Sequence, residues 1–263
     1  MEIAIAELPA QTGEDRALLF ETGVIVLDGA TSHDPDIPPA VQYVDTLGRE
    51  LIDRCGTAST LATALADAIR SAADELDLRP NVSPSSTVAV VRVNNDEVEL
   101  LVLGDSTIVV GTANGRHDMI TDDRLSNLPI SEASEYRRRL AAGSGYDDIH
   151  RGLLRELQRQ QRAQRNRHTG YWIAEADPGA AEHAVTVSYP RDAIKWAVVT
   201  TDGARDTVEA LGIAWPQIAA QSPASLRAIL ARCHEWEAHA DPDGRVLPRS
   251  KRHDDKTIAV VRL

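Results

Sequence analysis

The chain has 263 residues, 43% of them hydrophobic, and its 40 acidic against 28 basic side chains give a formal net charge of −12. That length can be organised around one large core, and the acidic balance disfavours nucleic acid as the main partner while fitting cation capture. No apolar run approaches the ~20 residues needed to cross a bilayer, residues 1–10 lack a basic start or a long apolar stretch, and Cys55 and Cys233 show no Cys-x-x-Cys spacing, so a cytoplasmic protein with buried free thiols is expected.

Taken in chain order, Ala17 to Phe20 and Val24 to Leu27 read as strands joined by the tight turn Glu21-Thr22-Gly23, which predicts a hairpin with Asp28 at its outgoing end. Val41, Val44, Leu47 and Leu51, then Leu61, Leu65, Ile69 and Leu76, recur at helical spacing and predict two helices covering a sheet. Thr87 to Val93, Val98 to Leu103 and Ile108 to Gly111 are β-branched runs separated by turn residues, which predicts an antiparallel meander with Asp105 at a turn. From about 122 to 181 the strand pattern gives way to Arg, Gln and Ser, with helices expected near Glu132 to Ala142 and Asp148 to Arg167. This segment reads as an inserted surface subdomain seated by Trp172, whereas Trp196 and Trp236 read as core. Strands are expected again at Ala184 to Tyr189 and Lys195 to Thr200, a helix over Ser222 to His239, and a closing strand from Thr257 to Leu263. Strand runs and helical pairs in this order predict two antiparallel sheets flanked by helices in an α+β fold.

Short acidic motifs stand at or next to the ends of these runs: Gly13-Glu14-Asp15, Asp28-Gly29, Gly104-Asp105-Ser106, Asp202-Gly203, Asp206 and Asp254-Asp255. Carboxylates gathered from separate strands raise one another's pKa or destabilise the fold unless cations neutralise them. Hard divalent ions such as Mg²⁺ and Mn²⁺ prefer oxygen ligands, and a pair of them can hold both the attacking and the leaving oxygen of a phosphoryl displacement. A metal-dependent phosphohydrolase is the inference. Each acidic residue taken singly is more often a turn or cap residue; the full set in one chain is not.

The order and wording of the motifs, with Ser85-Ser86-Thr87 opening a strand, Thr200-Thr201-Asp202-Gly203 and Asp254-Asp255-Lys256-Thr257, resemble the metal-dependent protein phosphatases, the protein phosphatase 2C-like Ser/Thr phosphatases of bacterial type, over nearly the whole chain. The resemblance implies one catalytic domain over 1–263, a four-layer α/β/β/α sandwich, and a flap beside the active site at about 122–181. It implies that Asp28 bridges two Mg²⁺ or Mn²⁺ ions, that Glu14 and the Gly29 carbonyl complete one shell, and that Asp202 and Asp254 hold the other ion. It implies a weaker third ion position at Asp105, Asp202 and Asp206, with Asp15 and Asp255 supporting the ligands from behind. Asp28, Asp202 and Asp254 would be the residues on which catalysis depends, through a metal-activated water, with no protein nucleophile.

Departures from the family pattern are equally informative. The position of the phosphate-gripping Arg of eukaryotic members is Ala10 here, and Ala30-Thr31-Ser32 replaces the segment that carries the family's proposed general-acid His. His33 and His253 are the nearest replacements in sequence, and the plainer reading of each is a surface histidine. Arg16 could reach phosphate or pair with a carboxylate. Arg151, Arg155, Arg159, Arg162, Arg165 and Arg167 recur every three or four residues, which reads as a solvated helix face, with docking of a phosphoprotein as the lesser reading.

The resemblance implies a protein Ser/Thr phosphatase acting as a monomer on phosphorylated proteins and opposed by a Ser/Thr kinase, without membrane or nucleic-acid partners. A non-catalytic phosphoprotein-binding regulator of the same fold and a small-molecule phosphatase are the alternatives.

Overall fold

Strands that are apolar at every position need cover on both faces, and the element order supplies it. The computed structural model describes residues 1–10, 13–32 and 37–263. Among these residues the strands are β1 (Glu2–Leu8), β2 (Asp15–Phe20), β3 (Gly23–Gly29), β4 (Ser86–Val93), β5 (Glu97–Leu103), β6 (Thr107–Thr112), β7 (His117–Thr121), β8 (Val185–Pro190), β9 (Ile194–Thr200) and β10 (Lys256–Arg262). They form two antiparallel sheets, ordered β1-β10-β9-β6-β7 and β2-β3-β4-β5-β8. β4 is buried along its whole length, while the edge strand β8 alternates between partly buried and exposed residues, as expected for a centre and an edge.

Between the sheets lies a dry layer built from Val24, Val26, Ala89, Val91, Ile108, Val110, Val199 and Ala259. The outer face of the second sheet is covered by α1 (Ala40–Cys55) and α2 (Leu61–Glu75), which pack Tyr43, Leu47, Leu51, Leu65 and Ile69 onto Ile25, Leu27, Val88 and Leu101. Alanines at 64, 68 and 72 let α2 approach closely, and Thr60 caps it by accepting from the Thr63 amide at 3.1 Å. The other sheet is covered by α5 (Asp202–Ala210), α6 (Trp215–Ala219) and α7 (Pro223–His239), through Val208, Ile218, Leu226 and Leu230 on Ala4, Val198 and Val260. Each fully buried Val, Leu or Ile in these layers contributes about 1.5–3 kcal/mol. The result is an α/β/β/α sandwich, the α+β class expected from the pattern.

Between β7 and β8 the chain forms α3 (Ser131–Ala141) and α4 (Asp148–Gln164), which share a small cluster of Ile130, Tyr136, Leu140, Leu154 and Leu157. Trp172 is buried in the layer beneath α1 and α2 and stacks on His183 at 3.5 Å between ring centroids. Arg165 is drawn in onto buried Glu175 at 3.4 Å, so α4 ends at Gln164, short of Arg167. Cys55 and Cys233 are buried free thiols.

Three features differ from the periodicity reading. The predicted three-strand meander is divided: β4 and β5 pair in one sheet, but β6 pairs with β9 and β7 in the other. Gly104-Asp105-Ser106 is therefore a crossing between sheets rather than a hairpin turn, a distinction that local turn chemistry cannot make. β1 and β7 were not legible as strands, because both are edges with exposed or partly buried polar positions. Trp196 and Trp236 are only partly buried.

Candidate active site

The ends of β3, β9 and β10 and the crossing after β5 converge at one side of the sandwich, and each carries an acidic motif. Asp15 and Asp28 face each other as partners in the β2–β3 ladder, with Asp28 and Gly29 opposite Thr87 and Ser86 of β4. The Thr201 hydroxyl donates to Asp15 at 2.9 Å and accepts from the Thr257 amide at 3.1 Å, which fastens the end of one sheet to the other. Asp255 accepts from the Ala10 and Glu14 amides, both at 2.5 Å, and so fixes the loop that presents Glu14.

Two glycines are required by close approach. A Cβ on Gly29 would lie 2.9 Å from Glu14 Cβ and 3.0 Å from Val44 Cγ2; on Gly203 it would lie 2.3 Å from the Asp255 carbonyl and 3.0 Å from Asp254 Cβ. The first lets the Asp28 strand end press against Glu14. The second lets the first turn of α5, which carries Asp202, seat against the Asp254-Asp255 loop.

Burial is the leading cause of a raised carboxyl pKa throughout this cleft. It pushes Asp28 well above the usual carboxylate range, reinforced by Asp15, Asp202, Asp254 and Asp105. Asp202 is likewise held well up, by burial and then by Asp105, Asp254 and Asp206. Burial raises Asp15 to about 7 despite its bond from Thr201, and Asp105 is raised by burial against the opposing pull of Arg205. Carboxyls that push one another upward form a site short of positive charge.

The cations beside them are few and specific. Lys251 Nζ donates to Asp254 Oδ1 at 2.9 Å and to Thr31 Oγ1 at 2.8 Å, and the Thr31 hydroxyl donates to Glu14. Burial works against the Lys251 charge, but Asp254, Asp28 and Glu14 outweigh it and hold its pKa above the ordinary lysine value. Arg205 pairs with Asp206 at 2.7 Å and also reaches the Asp105 carbonyl and the Thr107 hydroxyl. Asp105, Asp202, Asp206 and Asp254 line a cavity of about 240 Å³, together with Lys251 and with Arg137 of α3. α4 borders both loops flanking Lys251: Gln158 Nε2 donates to the Thr31 carbonyl at 3.0 Å and His150 Nε2 to the Ser250 carbonyl at 2.9 Å.

Asp28, Asp15, Asp202, Asp254, Asp105, Asp206, Glu14 and Asp255 thus gather around one cleft, but they do not close on a single point. Among the described residues, a set of three potential ligand side chains with atoms all within 4.8 Å of one another is formed by His234, Glu237 and His253, and not by the cleft carboxylates. Glu237 in that set is already engaged by Lys256 at 2.8 Å, the Thr207 hydroxyl at 2.7 Å and His253 Nδ1 at 3.0 Å. His253 is turned toward α7 rather than toward the cleft. His33 lies outside the described residues. Arg16 pairs with Asp45 at 2.7 Å and donates to the Gly13 and Asp15 carbonyls. In the arginine-rich helix, Arg151 and Arg159 pair with Asp148 and Glu156 of the same helix, and Arg165 turns in to Glu175, so part of its positive charge is met within the chain.

The donor set suits a hard divalent cation. It consists of oxygens, burial and neighbouring carboxylates raise Asp28, Asp105 and Asp202 within it, and its open spread leaves room for the waters that Mg²⁺ and Mn²⁺ retain. Lys251, Arg205 and Arg137 were the residues missed by sequence reasoning. Lys251, three residues before Asp254, was the one with a visible signal.

No protein-family model matches the chain, and no curated protein matches it either. Several solved structures share its fold. The serine/threonine phosphatase Stp1 from Staphylococcus aureus superposes with a TM-score of 0.58 at 13% identity, over 100% of this chain and 94% of that one. The Mycobacterium tuberculosis serine/threonine phosphatase PstP/Ppp gives 0.56 at 14% identity, over 100% and 98%; the PstP catalytic domain has also been solved with 2 manganese ions, at 0.52 and 13% over 98% and 96%. The PPM Ser-Thr phosphatase MsPP from Mycobacterium smegmatis, in complex with cacodylate, gives 0.53 at 17% identity, over 100% and 98%. At these identities the likeness establishes the fold.

Proposed function

We propose that the chain is a Mg²⁺- or Mn²⁺-dependent phosphatase that hydrolyses phosphoserine and phosphothreonine on proteins. The observation that carries this is the convergence of Asp28, Asp202 and Asp254, with Glu14 joined to them through Thr31 and Lys251, on one cleft with too few cations to balance them, in a fold shared with proteins described as serine/threonine phosphatases, one solved with manganese. Glu14, Asp28, the Gly29 carbonyl, Asp202 and Asp254 would hold two ions, and Asp105, Asp202 and Asp206 a weaker third. Bound there, the ions supply Lewis acidity, bringing the pKa of water toward neutrality and offsetting charge on the phosphoryl oxygens.

The remaining residues serve position and charge. Asp255 fixes the Glu14 backbone, and Asp15, bonded by Thr201, buttresses Asp28 across the hairpin. Arg137 of α3 borders the cleft, with its guanidinium over the Tyr136 ring at 5.4 Å, and would take the part of a phosphate-binding cation that Ala10 cannot play. Phosphorylated proteins are the substrates and a Ser/Thr kinase the opposing enzyme.

The test is an assay of p-nitrophenyl phosphate and a phosphothreonine peptide side by side with added Mn²⁺ and with EDTA. Phosphate release from the peptide should require the metal and cease with EDTA. Full turnover in metal-free buffer overturns the proposal, and a kcat/KM far higher on small phosphorylated molecules than on the peptide moves the substrate class.

A further inference from the structure

The Lys251 ammonium stands between a carboxylate assigned above to one ion and a carboxylate assigned to the other. It donates directly to Asp254 Oδ1, which also accepts from the Asp255 amide at 3.0 Å, and through the Thr31 hydroxyl it reaches Glu14. Its position is built rather than incidental. The Thr31 side is held by Gln158 and the Ser250 side by His150, so α4 fastens the backbone on both sides of the ammonium. An ammonium held at Asp254 Oδ1 opposes a divalent ion on the same carboxylate, because two cations drawn to one carboxylate repel each other more strongly in a partly buried cleft than in water.

We propose that Lys251 is a tethered competitor for the divalent cation at the Asp254 and Glu14 side of the cleft, so that metal entry requires its ammonium to give up both partners. The competition presupposes the ion-binding role proposed above for these carboxylates. It weakens the affinity that the oxygen ligands alone would provide, while Lys251 steadies the protein at low metal by neutralising part of the acidic ring. The charge of Lys251 is the essential property, since the carboxylate ring selects for positive charge rather than for shape.

Calorimetric titration of Mn²⁺ into the metal-stripped full chain, compared among wild type, Lys251→Gln and Lys251→Arg, tests this without reference to activity. Lys251 is one-third exposed at its side chain, so the neutral variant should fold. Lys251→Gln should bind Mn²⁺ about tenfold more tightly, the scale of one displaced charge-assisted hydrogen bond. Its metal-free melting temperature should fall below that of wild type while its gain on adding Mn²⁺ becomes larger. Lys251→Arg should stay within about threefold of wild type, because it keeps the charge. Equal or weaker Mn²⁺ binding by Lys251→Gln overturns the competition while leaving the metal site intact, as does equal tightening in the Arg variant. Absence of Mn²⁺ binding by all three proteins overturns the metal site and the competition together.

Discussion

Two buried polar clusters lie a few residues apart in this protein and are balanced in opposite ways. At the α7 side, Glu237 is enclosed by Lys256, Thr207 and His253, and both members of the Glu237–Lys256 ion pair are almost fully buried. At the cleft side, Asp28, Asp202 and Asp254 press against one another, with Lys251 and Arg205 as the neighbouring cations. One cluster is complete with the chain's own groups, and the other leaves negative charge over. The difference separates a network neutralised by the chain's own groups from one that stays short of positive charge.

The largest expected effect tests the incomplete cluster. Asp28→Ala or Asp202→Ala should abolish phosphatase turnover in Mn²⁺ while the metal-free protein melts no lower than wild type, since a repelling carboxylate is removed. Retention of more than about a tenth of the wild-type rate, a loss of only ~1.4 kcal/mol, rules the residue out as an essential ligand.

The complete cluster should respond in the reverse sense. Glu237→Ala leaves the buried Lys256 ammonium without its counter-ion, keeping the Asp254 carbonyl at 3.0 Å, which costs about 3–5 kcal/mol and should lower the melting temperature by roughly 10 °C. Thermal melts of the two classes of variant would erase the contrast if Glu237→Ala proved neutral.

A third measurement sharpens the comparison through pH. Burial raises Asp15 from 3.8 to about 7, and burial with the neighbouring carboxylates holds Asp28 and Asp202 well above the usual carboxylate range. A carboxyl whose folded pKa exceeds its unfolded value contributes stability below the unfolded pKa and loses it as pH rises through the folded one. Metal-free protein should therefore melt several degrees higher near pH 5 than near pH 8, and saturating Mn²⁺ should flatten or reverse that slope. A metal-free melting temperature that rises from pH 5 to 8 contradicts the unbalanced-charge account.

The smallest effect is expected at Asp206, which is partly exposed and already paired with Arg205. Asp206→Asn should retain two tightly bound ions in crystals soaked in Mn²⁺ but show reduced kcat and a higher Mn²⁺ requirement. Wild-type kcat at low Mn²⁺ would return Asp206 to the ordinary role of a surface partner for Arg205.

Much of the fold was legible because the central strands carry long runs of β-branched and apolar residues and α1 and α2 a clear helical period, so local pattern and tertiary burial agree at Val24 to Leu27, Thr87 to Val93 and Leu61 to Ile69. Edge strand β1 escaped because its apolar run is only Ile3 to Ala6, although Ala4 and Ala6 pack on one face and Ile3 and Ile5 on the other, and β7 because His117 to Met119 are exposed and leave too short a pattern. The acidic motifs were legible as residues, since Asp-Gly at a strand end needs no neighbour to be seen. Which of them meet, and on what terms, was not. The crossing at Asp105 carries the chain from one sheet to the other, although its turn residues would serve a hairpin equally well. Lys251 reaches a hydroxyl 220 residues away in sequence, and Glu237 is claimed by Lys256 rather than left for the cleft. The sequence by itself determined the strands, the covering helices and the stock of carboxylates, because these follow from periodicity and residue type. Only the tertiary structure decided which carboxylates are neutralised by the chain and which are left short of positive charge, because charge balance depends on distances across the sandwich that no local pattern contains.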